Sequence, residues 1–178
     1  PREYAHRRVP LEWFARARGA YGIKMVSQSL SDSETATNRY WHYAGRNTRL
    51  AIISIGESAS NAERARAITI RAAHIGMPLD QEVWGHQMPQ QTCWSLLQLL
   101  NSADSIFAIL VLPVVPKHID MMALRADLIR HKDLMRPGAW HCAGPVRPGE
   151  IDSLIDSAIV AHRLHNEELS GRSLQSAR

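Results

Sequence analysis

Two cysteines in 178 residues, Cys93 and Cys142, exclude a disulfide-framed fold and any Cys-x-x-Cys metal or redox motif. Two lone thiols point to a reduced, cytoplasmic protein. The longest apolar run, Ile106 to Val115, is strand-sized and far short of the roughly 20 residues that cross a bilayer. No membrane partner is expected. The opening Pro1-Arg2-Glu3-Tyr4 has neither an initiator Met nor an apolar signal region, so a trimmed chain with no export signal is expected. Internal repeats are missing. No Gly-rich dinucleotide turn occurs, so no NAD(P) site is expected. His162 and His165 stand close in sequence without a third ligand in sight, so no metal is expected. Lys and Arg number 21 against 17 for Asp and Glu, and are spread along the chain. That excess permits contact with a phosphate and argues against a dedicated nucleic-acid surface.

What is present is the pattern of one α/β domain. The length supports a single core. Leu50 to Ile55 is apolar without alternation, as in a strand buried on both faces of a parallel sheet. Pro78 to Trp84 and Ser105 to Leu112 read as two further strands. Ala59 to His74 reads as a helix with Ala65, Ile68, Ala72 and Ile75 on one stripe and Gly76 as its stop. Helices are also expected over Gln90–Asn101, Ile119–His131 and Glu150–Asn166. The alternation implies a three-layer sandwich with a mostly parallel sheet and flanking helices. Ligands of such folds sit at the carboxyl ends of the strands, here Gly56-Glu57-Ser58, Gly85-His86-Gln87 and Leu112-Pro113-Val114.

Residues 1–48 read as an N-terminal extension, with a helix over Leu11–Ala20, a loop over Ser27–Asn38 and an aromatic group of Tyr40, Trp41 and Tyr43. Residues 49–168 form the main domain. Residues 169–178 read as a polar, frayed tail.

Three stretches, taken in order, resemble the methylenetetrahydrofolate dehydrogenase/methenyltetrahydrofolate cyclohydrolase family. Leu50 to Ser60 looks like its first strand and Gly-Glu/Asp turn, followed by a helix ending at Ile75-Gly76-Met77. Ile109-Leu110-Val111-Leu112-Pro113-Val114-Val115-Pro116-Lys117-His118-Ile119 resembles its Ile-Leu-Val-Gln-Leu-Pro-Leu-Pro-Lys-His-Ile run, and Lys132-Asp133-Leu134 its Lys-Asp-Val. Val146-Arg147-Pro148-Gly149-Glu150-Ile151 looks like its Val-Gly-Pro-Met-Thr-Val turn into the last helix. The resemblance covers roughly residues 49 to 166. In the family a Rossmann-type domain lies between the second and third stretches; here only a connector from Met135 to Pro145 stands between them.

The resemblance implies a tetrahydrofolate derivative as substrate or one-carbon donor, and an acceptor that the sequence leaves unknown. The family's Tyr and catalytic Lys correspond to Arg64 and Ile68, and its Gln to Leu112. Its pterin-reading Asp falls at Met135 or near Arg136, with Asp133 the nearest carboxylate. Isoleucine and leucine have no titratable group, so the ordinary acid–base mechanism is not expected. The candidate substrate-binding residues are Arg64, Ile68, Leu112, Pro113, Val114, Pro148, Gly149 and Ile151.

Beside these, Arg64 and Arg71 form either an anion clamp or a solvated helix face. His86 and Gln87 follow a strand into the cleft. Trp140-His141-Cys142 contains an adjacent His and thiol, an arrangement that rarely faces productively. Trp84, Trp94 and Trp140 offer ligand contact or core packing. The favoured reading is a tetrahydrofolate-binding protein with altered methylene or methenyl transfer, possible as a homo-oligomer. The alternatives are an inactive interaction module and an anion-binding module using Arg64, Arg66 and Arg71.

Overall fold

In a strand with apolar residues at both parities, neither face can meet water, so layers are needed above and below it. The computed structural model describes residues 24–26, 48–134 and 148–176, and there this demand is met. Four strands form one sheet: β1 (Lys24–Val26), β2 (Arg49–Ile55), β3 (Leu79–Trp84) and β4 (Ile106–Val111). Their order is β1-β3-β2-β4. β3 and β4 both run parallel to β2, with Ser54 opposite Val83 and Ile53 opposite Val111. The short β1 is antiparallel to β3. It was not anticipated, because three residues are too few to show a strand period. A parallel bridge from Ile109 to Asp133 extends the sheet beyond β4.

The helices are α1 (Ala59–His74), α2 (Gln90–Ser102), α3 (Met121–Arg125) and α4 (Pro148–Ser176). The chain steps from β2 outward to β3, then back across β2 to β4. Right-handed crossovers therefore put α1 and α2 on opposite faces. α4 packs beside α1 and against β4. The expected three layers and mostly parallel sheet are thus observed. The core fills both sides of the sheet: Ile52, Ile53, Phe107, Ala108, Leu110 and Leu112 are fully buried.

Two helix expectations need correction. The third helix ends at Arg125 and does not continue to His131. The Asn101 side chain takes over the backbone there, accepting from Ile129 N at 2.8 Å and donating to Asp127 O at 3.2 Å. Those bonds replace the helical ladder. The last helix runs beyond Asn166 to Ser176, so the expected frayed tail is largely helical. An Arg172–Glu168 pair one turn apart and an Arg172–Asp104 pair at 3.6 Å support this extension. The helix over Leu11–Ala20, the loop over Ser27–Asn38, the Tyr40–Tyr43 aromatics and Trp140-His141-Cys142 lie outside the described residues.

Candidate functional site

Gly56 ends β2 with φ +77°, a conformation that L side chains rarely adopt. A Cβ there would lie 3.0 Å from His86 Nδ1 and 3.5 Å from Pro116 Cγ. Gly56 therefore lets the ends of β2, β3 and β4 converge. Its N–H donates to Trp84 O at 2.8 Å, which ties the ends of β2 and β3 together. β2 and β4 are neighbours whose onward connections leave in different directions, which makes their carboxyl ends a topological switch point.

Ser58 caps α1, its hydroxyl accepting from Asn61 N at 3.3 Å. That cap fixes the first turn, and so the direction of the fully buried Asn61 side chain. Asn61 Nδ2 donates to Val114 O at 2.7 Å and to Ser54 Oγ at 3.2 Å, while Val114 N donates to Asn61 Oδ1 at 3.2 Å. The side-chain amide thus acts as a peptide-like bridge that holds the loop after β4 against α1. Beside this clamp is a cavity of about 460 Å³, lined by Ser54, Gly56–Ala59, Asn61, Ala62, Gln81 and Val83. Its size falls in the range of small-molecule sites. Gly56, Ala59, Ala62 and Val83 make its walls mainly apolar, and Glu57 is the ionisable residue among those that line it.

Of the residues singled out from the sequence, the structure brings some together and seals others away. Arg64 is fully buried, and its guanidinium meets Glu150 Oε1 on the first turn of α4 at 3.2 Å. Arg71 pairs with Asp152 at 2.8 Å, on the exposed part of the same seam. Both arginines thus hold carboxylates of the chain itself. Ile68 and Leu112 are core residues with no exposure, and Leu112 N donates to Ile53 O. Pro113 and Val114 are half-buried beside the clamp, Gly149 is exposed, and Ile151 packs under α4. The side chain of Pro148 lies outside the described atoms. None of these lines the 460 Å³ cavity.

His86 and Gln87 are exposed at the strand ends. The His86 ring stands edge-on to His118, with centroids 6.3 Å apart. Trp84 is a core residue, and Trp94 donates to Asp127 at 3.1 Å. Asn61, Ser54 and Gln81 were missed from the sequence. The Ser58-x-x-Asn61 spacing just after a strand-ending glycine is the signal that marks them.

A second polar cluster lies at the other end of the sheet. Lys132 is buried and donates to Asn101 O and Ala103 O, at 2.8 and 3.0 Å. Burial lowers its pKa to about 8, against the opposing attraction of Asp104 and Glu168. His162 is pushed down to about 4 by burial and by nearby His165. Burial also lowers His165, whose ring nitrogen meets Asp104 O at 2.9 Å.

No protein-family model matches the chain. Among curated proteins, the bifunctional protein FolD 2 of Ruegeria pomeroyi is 33% identical over 95 residues, which is 53% of this chain and 32% of that protein. The bifunctional protein FolD 1 of Rhizobium meliloti is 26% identical over 157 residues, 83% of this chain and 50% of that protein. Among solved structures, the bifunctional enzyme FolD, a methylenetetrahydrofolate dehydrogenase/cyclohydrolase from Campylobacter jejuni, aligns with a TM-score of 0.52 at 22% identity. That alignment covers 55% of this chain and 35% of the other. The resemblance read from the sequence is borne out: FolD proteins are homologous to about half of this chain, and the α/β fold is shared. These alignments span about a third to a half of the curated relatives' own length.

Proposed function

We propose that this chain binds a reduced folate at the carboxyl ends of β2, β3 and β4 and supports altered one-carbon chemistry there. The observation that carries this reading is the 33% identity to a FolD protein over 95 residues. The switch-point clamp of Gly56, Asn61 and Val114 and the adjoining cavity support this location. Arg64, Pro113, Val114, Gly149 and Ile151 shape the surroundings from the loop after β4 and from the α1–α4 seam. Ile68 and Leu112 shape it from behind, as core.

The chemistry is a hydrolysis or transfer at the methenyl or methylene carbon and not the ordinary dehydrogenase reaction. The 135–147 stretch, the only chain between the β4 region and α4, is too short for an inserted dinucleotide domain. The cytoplasm is the proposed compartment. Cys93 is buried, and burial pushes its thiol up to about 11, so it is an inert thiol.

The interaction-module reading has one observation in its favour. Ile68 and Leu112 are sealed, and Arg64 already holds Glu150. Calorimetric titration with tetrahydrofolate and 5-formyltetrahydrofolate separates the two. Ala62 is exposed on α1 at the cavity edge, so Ala62→Arg blocks the cavity without touching the core. Micromolar binding that Ala62→Arg abolishes is the expected result. No binding at millimolar ligand removes the folate reading and leaves the interaction module.

A further inference from the structure

We propose that Glu57 selects the ligand of this cavity by pairing with the donor edge of a 2-aminopyrimidin-4-one ring. The inference rests on the folate reading and deepens it by naming the side chain that chooses the head group. Apolar walls suit the faces of a flat ring, and a few placed polar groups then fix its orientation. Most polar groups of this cavity are already engaged. The Ser54 hydroxyl donates to Gly56 O and accepts from Asn61, the Ser58 hydroxyl accepts from Asn61 N, and the Asn61 amide is bonded to Val114. Glu57 and Gln81 are the lining side chains left to meet a ligand. Other carboxylates around the sheet are held within the chain. Glu82 accepts from Trp84 Nε1 at 2.8 Å, Asp120 caps α3, Asp133 holds Arg125 at 2.8 and 3.1 Å, and Glu150 meets Arg64 at 3.2 Å. The exposed Glu57 carboxylate makes no hydrogen bond or ion pair among the described residues.

A carboxylate can accept two parallel N–H bonds, and such charge-assisted pairs are stronger than neutral ones. The aminopyrimidinone ring of a reduced folate carries the matching pattern, because its N3–H and 2-amino group lie side by side on one edge. With that edge on Glu57, the adjoining ring carbonyl is left as an acceptor for the Gln81 side-chain amide. A ring with a 2-oxo group turns a carbonyl oxygen towards the carboxylate instead. It loses one bond and meets repulsion, so the same residue attracts one ring and rejects the other. No Lys or Arg is among the described residues that line the cavity, so the glutamate tail of a folate gains no cation there. The head group therefore carries the binding. The step is recognition alone, with no bond made or broken.

The test uses the full chain and calorimetry with 5-formyltetrahydrofolate as the reference ligand. That ligand is then displaced by 6-methylpterin or 6-methyllumazine, which carry a 2-amino and a 2-oxo group respectively. The wild-type protein is expected to bind the pterin about 10-fold or more tightly than the lumazine. Glu57→Gln, a change of equal size at an exposed position, is expected to keep the thermal midpoint and to weaken the pterin about 10-fold or more, leaving the two rings within about threefold of each other. Glu63→Gln removes an exposed carboxylate of α1 that does not line the cavity, and is expected to leave the preference intact. An unchanged pterin preference in Glu57→Gln overturns the assignment. So does equal affinity of the two rings in the wild type, an equal loss in Glu63→Gln, or failure of 6-methylpterin to displace a folate that does bind. In each of these cases the folate site stands. Absence of any folate binding by the wild type removes the folate site and this inference with it.

Discussion

The two ends of the sheet both bury polar groups, but of different kinds. At the carboxyl ends of the strands the buried partners are neutral: the Asn61 amide, the Ser54 hydroxyl and the Val114 backbone satisfy one another. At the opposite end they are ionisable: Lys132, His162 and His165 sit under the second half of α4, with Asp104, Glu168, His131 and Arg172 around them. Neutral groups hold a shape that does not change with pH. Ionisable groups make attachment of the helix conditional on protonation. The strand-end clamp is thus built from neutral groups, and the foot of α4 is expected to respond to acid first. Glu82 in β3 is a buried carboxylate that accepts from Trp84 Nε1 at 2.8 Å, and the main exception is Arg64–Glu150, a buried ion pair at the strand-end side of the α1–α4 seam.

That exception gives the largest expected effect. Glu150→Leu removes one carboxylate from the buried Arg64 guanidinium, and removing one partner of a buried pair costs up to about 3 to 5 kcal/mol. Chemical denaturation should show a loss at the upper part of what a domain of this size tolerates. The double variant Arg64→Met/Glu150→Leu removes both charges and should recover most of the loss. A double variant as unstable as the single one would mean that Arg64 matters by its shape and not by its charge.

Acidification tests the other end. The folded value of His162, about 4, lies below its ordinary 6.5, and that of His165 is also lowered. The unfolded chain therefore binds more protons than the folded one once the pH falls below about 6.5. Stability is fully present above that pH and declines towards pH 4, by at most about 3 kcal/mol for His162. Thermal melts from pH 7.5 to 4.5 should show the decline, and His162→Gln should flatten it. Amide exchange should place the early opening in residues 158–172 of α4 and not in the first turns of α1. Equal acid sensitivity at both ends would dissolve the contrast.

The sequence made the sheet and the long helices legible because Leu50–Ile55, Ile106–Val111 and the α1 stripe each carry a strong local pattern. It made the strand-end location legible because the topology follows from strand order. The clamp was not legible, since the Asn61 bridge to Val114 joins residues 53 apart and no local pattern encodes such a contact. The counter-ions of Arg64 and Arg71 were hidden for the same reason: Glu150 and Asp152 arrive from the far end of the chain. α3 was over-extended because Asn101, on another helix, competes for its backbone. The resemblance pointed to Ile68 and Leu112 by register, and the structure places both apolar side chains in the core.

The smallest effect is expected where the same seam reaches solvent. Arg71–Asp152 has the shorter distance of the two seam pairs, 2.8 Å against 3.2 Å, yet its side chains are 43% and 60% exposed. Water solvates both charges when the pair breaks, and an exposed ion pair contributes about 0.2 to 1 kcal/mol. Arg71→Ala should therefore cost under about 1 kcal/mol, fading further in half-molar salt. Denaturation midpoints of Arg71→Ala and Glu150→Leu, measured side by side, decide whether burial or distance governs this seam. If Arg71→Ala were as damaging as Glu150→Leu, the outer pair would be holding α4 in place and burial would not be the controlling variable.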